Sequence, residues 1–257
     1  MELHDDDLKN FEAHGAAALP VTSDQGYVDH QGARIWYATF GAGPTVIMLH
    51  GGLGHSGNWG YQVPALTSSG YRAVLIDSRG HGHSTRDERP YTYELMASDV
   101  LAVMDHLQLE KAAFVGWSDG ACTALVLARK AASRSAGVFI FACKMDPSGL
   151  KDIEPSPVLR RCFSRHTKDY AQLSATPDQF APFADAVHQM QRPNPITLYA
   201  IWPMSTCLSL SFKGSMMSSS NSNMPSTLPV AFRRLNSSYF RVSAISHHCK
   251  GPRNSTA

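Results

Sequence analysis

The 257-residue sequence contains no run of about eighteen apolar residues, which argues against a membrane-spanning helix. Its five cysteines form no Cys-x-x-Cys pair; that spacing disfavours a zinc site or a disulfide framework and fits reduced thiols. The opening Met1-Glu2-Leu3-His4-Asp5-Asp6-Asp7 is acidic and polar, the opposite of a secretory signal peptide. Internal repeats are lacking. Together these absences lead to the expectation of a cytoplasmic protein that does not insert into membranes.

Acid is missing from one end of the chain. All 21 Asp and Glu residues lie at or before Asp185, whereas residues 196–257 hold six Lys or Arg, 14 Ser and no acid. A nucleic-acid or membrane arm would gather its basic residues into a run or onto one helical face. Here they are scattered, so neither partner is expected. The length suits one α/β domain with a sizeable core and would cramp two.

What is present alternates. Gly26–His30 and Ala33–Ala38 have the pattern of a hairpin turning at Gln31-Gly32. Thr45–Leu49, Arg72–Ile76, Ala112–Val115 and Ala136–Phe141 are short apolar runs, the mark of strands buried on both faces. Helix-length segments separate them; between Tyr91 and Leu107 the residues Leu95, Val100, Val103, Met104 and Leu107 recur at helical spacing. This order predicts an α/β fold with a mostly parallel sheet, helices on both faces and functional groups at the strands' carboxyl ends. From 148 to 195 the pattern turns polar, helical and proline-rich, as expected of a small helical cap.

Three segments follow three of these runs: His50-Gly51-Gly52-Leu53-Gly54, then Asp77-Ser78-Arg79-Gly80-His81-Gly82-His83-Ser84, then Gly116-Trp117-Ser118-Asp119-Gly120. A Gly-x-Ser-x-Gly string alone is weak, and a plain strand-to-helix turn capped by Ser or Asp would also contain one. Between an apolar strand and the helix-prone Ala121–Ala128 it has the form of a nucleophile elbow. The flanking glycines are expected to let the backbone turn sharply there.

In this order and spacing the three segments resemble the α/β-hydrolase fold family of serine esterases and lactonases, over about Gly26 to Pro195. The resemblance implies that Ser118 attacks an acyl carbon of a small-molecule substrate. It also implies an oxyanion hole formed by the backbone N–H groups of Gly52 and Asp119. His50, His81, His83 and the Arg79 loop take structural roles, and no metal or organic cofactor is implied. Epoxide hydrolases and haloalkane dehalogenases of this fold carry Asp at the elbow, so Ser118 argues against them. Carbon–carbon bond hydrolases and cofactor-free haloperoxidases share the Ser elbow and stay open. Gly-Trp-Ser-Asp-Gly further resembles an esterase branch in which the acid meets a substrate ammonium; capping of the elbow helix is the alternative role for Asp119.

A serine hydrolase also needs a base and an acid to orient it, and family order places the acid and then the His after the cap. No acid is found after residue 195, and no His in the expected setting before an apolar helix; His247 and His248 are present there, but nothing in the sequence positions them as replacements. A disordered tail is one explanation. The genetic code supplies another: if the tail is translated one nucleotide out of register, joining the third base of each codon to the first two of the next recovers the original. Met216-Met217 then yields Asp with no freedom, Trp202-Pro203 yields Ala, and Phe212-Lys213 yields Gln. With permitted synonymous codons, 198–219 becomes an apolar strand ending in an acid turn, and 243–257 resembles the family's catalytic-His segment. The frame is therefore expected to slip near Pro195, with the acid codon straddling Met216 and Met217 and the His codon straddling Ala244 and Ile245. On this reading residues 22–195 are expected to form the hydrolase core, with its cap at about 148–195, and residues 196–257 not to fold stably, so that the last strands would be lost. Asp146 is an alternative acid, because some relatives carry theirs there. A non-catalytic remnant that uses the pocket only for binding is the rival outside enzymes.

Overall fold

The structure is a computed structural model, and it describes residues 6–143 and 156–192. The expected acid and His codons near 216 and 244, and Asp146, lie outside these residues, as does the whole of the 196–257 tail.

Among the described residues six strands form one sheet. They are β1 (Asp24–His30), β2 (Ala33–Phe40), β3 (Thr45–Leu49), β4 (Arg72–Ile76), β5 (Ala112–Trp117) and β6 (Ser135–Phe141), in the spatial order β1-β2-β4-β3-β5-β6. β1 pairs antiparallel with β2 and β2 with β4; the pairs β4/β3, β3/β5 and β5/β6 are parallel. Pairing begins with a hairpin whose turn residues Gln31 and Gly32 both take positive φ, 44° and 79°. That is the twist a two-residue hairpin needs.

Three of the apolar runs, in β3, β4 and β5, behave as strands buried on both faces do; the fourth, Ala136–Phe141 in β6, lies at the edge of the described sheet with only Ile140 buried. Ile47 and Leu49 of β3, Val74 and Ile76 of β4, and Phe114 of β5 enter one core. α3 (Tyr93–His106) and α4 (Asp119–Lys130) cover that core with Val100, Val103, Met104, Ala124 and Leu127. The alternate residues Val46, Met48, Ala73, Leu75 and Val115 enter a second core, where α2 (Gln62–Ser68) contributes Val63 and Leu66. Helices thus pack on both faces. α3 starts at Tyr93 because Thr92 caps it, Oγ1 accepting from the Leu95 N–H at 3.0 Å.

The remaining α-helices among the described residues are α1 (Asp6–His14), α5 (Pro157–Leu173) and α6 (Phe180–Gln191). Ser156 caps α5 and Pro157 occupies its first turn, where a missing N–H costs nothing. α5 and α6 supply Tyr170, Phe183 and Val187 to a third cluster with Leu53, Tyr91 and Met96. Through it the helical segment sits over the loops that follow β3 and β4. Among the described residues no helix is long and apolar enough to cross a membrane.

Strand order reverses at β3, which has β4 on one side and β5 on the other. The loops leaving β3 and β5 therefore diverge and open a crevice at the sheet's carboxyl edge.

Candidate active site

Ser118 stands between the last residue of β5 and the first of α4. Its backbone has φ 53° and ψ −119°, a conformation costing an L-residue about 1–3 kcal/mol that persists only where the surroundings impose it. The sequence suggests that the flanking glycines absorb the turn; instead Ser118 itself does. Gly116 and Gly120 provide clearance. A β-carbon on Gly116 would stand 2.3 Å from the Gly120 carbonyl oxygen, and one on Gly120 2.2 Å from that of Leu49.

A capping serine sits in extended backbone and spends its hydroxyl on the first turn of the helix. Ser118 does neither: the Ala121 and Cys122 N–H groups bond its carbonyl at 3.0 and 3.2 Å, and its side chain makes no capping hydrogen bond. Strain is held here without a capping bond from the hydroxyl.

The loop after β3 lies against the elbow. A β-carbon on Gly51 would stand 3.0 Å from Ser118 Cβ, and one on Gly52 2.3 Å from Asp119 Oδ2. Gly52 and Asp119, both expected at the oxyanion site, are thus neighbours. α4 begins at Asp119, so the positive end of its dipole is at Ser118.

His50 holds this loop to the next. Its Nε2 accepts from the Ser78 N–H at 2.9 Å, so Nδ1 carries the proton and donates to the Gly51 carbonyl at 2.8 Å. Burial lowers its pKa and keeps the ring neutral. With both nitrogens committed, His50 has none left to take a proton from Ser118. His81 is buried as well, its Nδ1 bonded to the Arg79 carbonyl at 2.9 Å. His83 bonds Asp77 Oδ2 through Nδ1 at 2.9 Å and stacks on Trp36. Burial alone would raise the Asp77 carboxyl, but the hydrogen bond from His83 and the neighbouring His50 and His55 hold it well below the usual range. Arg79 is fully buried and clamps Asp99 with two bonds of 3.0 and 2.6 Å.

The Asp119 carboxylate is occupied. Oδ1 accepts from the Tyr93 hydroxyl at 2.9 Å and Oδ2 from Gln191 Nε2 at 2.7 Å. Burial first, and then the Asp119 charge, raise the Tyr93 pKa, so Tyr93 stays a donor. These bonds run to α3 and α6, across the site. Tyr93 and Gln191 carry no motif, and only their meeting at Asp119 reveals them.

Beside the elbow lies a cavity of about 480 Å³, lined among others by Gly52, Leu53, Trp59, Trp117, Phe141 and His166. Aromatic side chains make up much of its wall, with Trp117 stacked on Phe141 at 6.4 Å and Trp59 edge-on to it.

The model of the alpha/beta hydrolase fold family matches residues 44–171. Epoxide hydrolase B of Mycobacterium tuberculosis is 36% identical over 117 residues, covering 45% of this chain and 33% of that protein. The bifunctional epoxide hydrolase 2 of Sus scrofa is 33% identical over 108 residues, covering 38% of this chain and 20% of that protein. The serine hydrolase BPHL of Homo sapiens is 32% identical over 120 residues, 45% of this chain and 41% of that protein. The chain thus spans well under half the length of these relatives.

Proposed function

Residues 44–171 belong to the α/β-hydrolase fold family, and from that premise we propose that Ser118 is the nucleophile of a hydrolase acting on an ester, lactone or related acyl compound. The Ser118 oxygen adds to the acyl carbon while its proton passes to a base. Backbone N–H groups of Asp119 and Gly52 hold the tetrahedral oxyanion. Collapse expels the leaving oxygen, which takes that proton from the base and departs as the alcohol; a water that gives a proton to the freed base then attacks the acyl-enzyme, and collapse releases the acid as Ser118 regains its proton.

One observation carries this reading: Ser118 is held at φ 53° and ψ −119° with no capping role for its hydroxyl. Strain of this kind is kept where a site needs it. The same residue disfavours epoxide opening, even though two of the relatives are epoxide hydrolases. A serine oxygen attacking an epoxide would form an alkyl ether, which has no carbonyl for water to attack. An ester formed on a carboxylate nucleophile can be hydrolysed, whereas that ether would trap the enzyme.

Activation is the weak point of this chain. No acid follows Asp185, and His50 is committed on both nitrogens. We therefore read residues 196–257 as out of register, with the acid and His of the ancestral triad lost near 216 and 244. This favours the non-catalytic remnant as the second reading for the chain as written.

The test is labelling with a fluorophosphonate, together with p-nitrophenyl acetate turnover. It compares the chain as written, the same chain with its frame restored after Pro195, and Ser118→Ala in each. We expect turnover in the restored chain that Ser118→Ala abolishes, and turnover near background in the chain as written. Restored-frame activity that survives Ser118→Ala would sink the nucleophile assignment. Equal activity with and without the restored frame would sink the register shift.

A further inference from the structure

Two of the chain's five cysteines meet beside the elbow. Cys122 lies in the first turn of α4, and Cys143 follows the end of β6 by two residues. Their sulfur atoms stand 3.5 Å apart although 21 positions separate them in sequence, and they are not joined by a disulfide. Between Phe141 and Cys143 stands Ala142, with φ 52°. A residue with a β-carbon seldom takes that region, and here it turns the chain out of the strand direction just before Cys143. The same two ends of chain also meet through Ser118. Its N–H donates to the Phe141 carbonyl at 3.1 Å, and its carbonyl accepts from the Cys122 N–H at 3.2 Å. The two sulfurs thus lie alongside a bridge that the main chain already makes.

We propose that Cys122 and Cys143 are a redox modification site, which a peroxide converts to a disulfide that staples the exit of β6 to the elbow helix across Ser118. The bond needs its sulfurs about 2.05 Å apart, so they must approach by about 1.5 Å. α4 is held where Gly120 packs on the Leu49 and His50 carbonyl groups. Cys143 lies beyond the last ladder pair, Trp117 with Phe141, and is the partner that moves.

Cys122 is 4% exposed and Cys143 is half-buried, so a small oxidant meets Cys143 first. Cys143 loses its proton and its sulfur attacks one oxygen of hydrogen peroxide. The O–O bond breaks, and the departing hydroxide takes up the proton as water. The Cys122 sulfur then attacks the sulfenic sulfur of Cys143. The S–O bond breaks, and that oxygen leaves with the Cys122 proton as a second water. Two thiols are oxidised to one disulfide, and one peroxide is reduced to two waters. The hydrogen bond with Cys122, and then burial, raise the Cys143 pKa. Its thiolate is therefore scarce at neutral pH and the conversion is slow.

The full chain is treated with hydrogen peroxide, blocked with N-ethylmaleimide and digested with trypsin without reductant. Mass spectrometry should find the peptides Ala112–Arg129 and Ser135–Lys144 joined, in preference to every other pairing of the five cysteines. Cys143 and Cys162 are 19 positions apart, close to the 21 between Cys122 and Cys143. Nearness along the chain therefore favours neither pair, and in urea the preference should vanish. Oxidation should raise the urea midpoint by about 1 M, by constraining the unfolded chain. Dithiothreitol should reverse the rise and Cys143→Ala should abolish it. Cys122→Ala repeats the comparison if Cys143→Ala fails to fold. Peroxide treatment that leaves both thiols open to N-ethylmaleimide, preferred linkage to another cysteine, the same preference in urea, or a midpoint that does not rise would overturn the proposal.

Discussion

Gln191 Nε2 donates to Asp119 Oδ2 at 2.7 Å, joining the last residue of α6 to the first residue of the elbow helix. Gly52 packs against this bond, since a β-carbon there would meet Asp119 Oδ2 at 2.3 Å and Gln191 Nε2 at 2.6 Å. The cap segment, the β3 loop and the elbow are thereby fixed at one point. The carboxylate that could have met a substrate ammonium is spent on Tyr93 and Gln191.

Gln191→Leu should therefore loosen the cap before it unfolds the core. A hydrogen bond to a charged group is worth about 1.5–3 kcal/mol, and partial exposure at Gln191 places this one at the low end. Hydrogen exchange should speed up in α6 and hardly change in β3 and β5. Uniform acceleration across the sheet would refute a local tie.

Gly120→Ala tests the elbow's geometry. Its β-carbon would meet the Leu49 carbonyl oxygen at 2.2 Å and that of His50 at 2.6 Å, and backbone yields less readily than a side-chain tip. A loss of about 3 kcal/mol is expected, the upper range for overpacking, read as a fall in the urea midpoint. A midpoint unchanged from the parent would mean that α4 can back away from β3.

Arg79 and Asp99 form a pair with side-chain exposures of 0% and 2%. Burial raises the Asp99 carboxyl, and Arg79 offsets only part of that rise. Arg79→Met strands the carboxylate and should cost about 3–5 kcal/mol. Arg79→Met with Asp99→Leu should cost clearly less than Arg79→Met alone, because no charge is left buried. Additive losses in denaturant titrations would contradict this.

His81 makes stability depend on pH. Burial, reinforced by the neighbouring His50, pushes it from 6.5 down to about 3. The unfolded chain then binds a proton that the folded chain refuses. The contribution is complete above about pH 6.5 and is lost as pH falls towards about 3, by at most about 1.4 kcal/mol per unit. Urea midpoints at pH 7 and pH 5 should diverge more for the parent than for His81→Asn. Identical slopes would show that His81 becomes protonated without unfolding.

Much of this fold is legible in the chain itself. Apolar runs such as Thr45–Leu49 and Arg72–Ile76 lack any polar face, so they had to be strands covered on both sides, and they are. Thr92 marks the start of α3 through local chemistry alone. The elbow is legible too, because Gly116, Ser118 and Gly120 are close in sequence. The roles of the two glycines are not, since the atoms they avoid belong partly to β3.

The amino-acid sequence by itself determined the strand order along the chain, the residue at the elbow and the absence of acid beyond Asp185. Those are properties of composition and of neighbours a few residues apart. Tertiary structure decided the rest. It set the strain on Ser118, the neutral tautomer of His50 and the Tyr93–Asp119–Gln191 bonds. Each arises from groups many residues apart meeting in a space with no water to compete, and no local pattern encodes such a meeting.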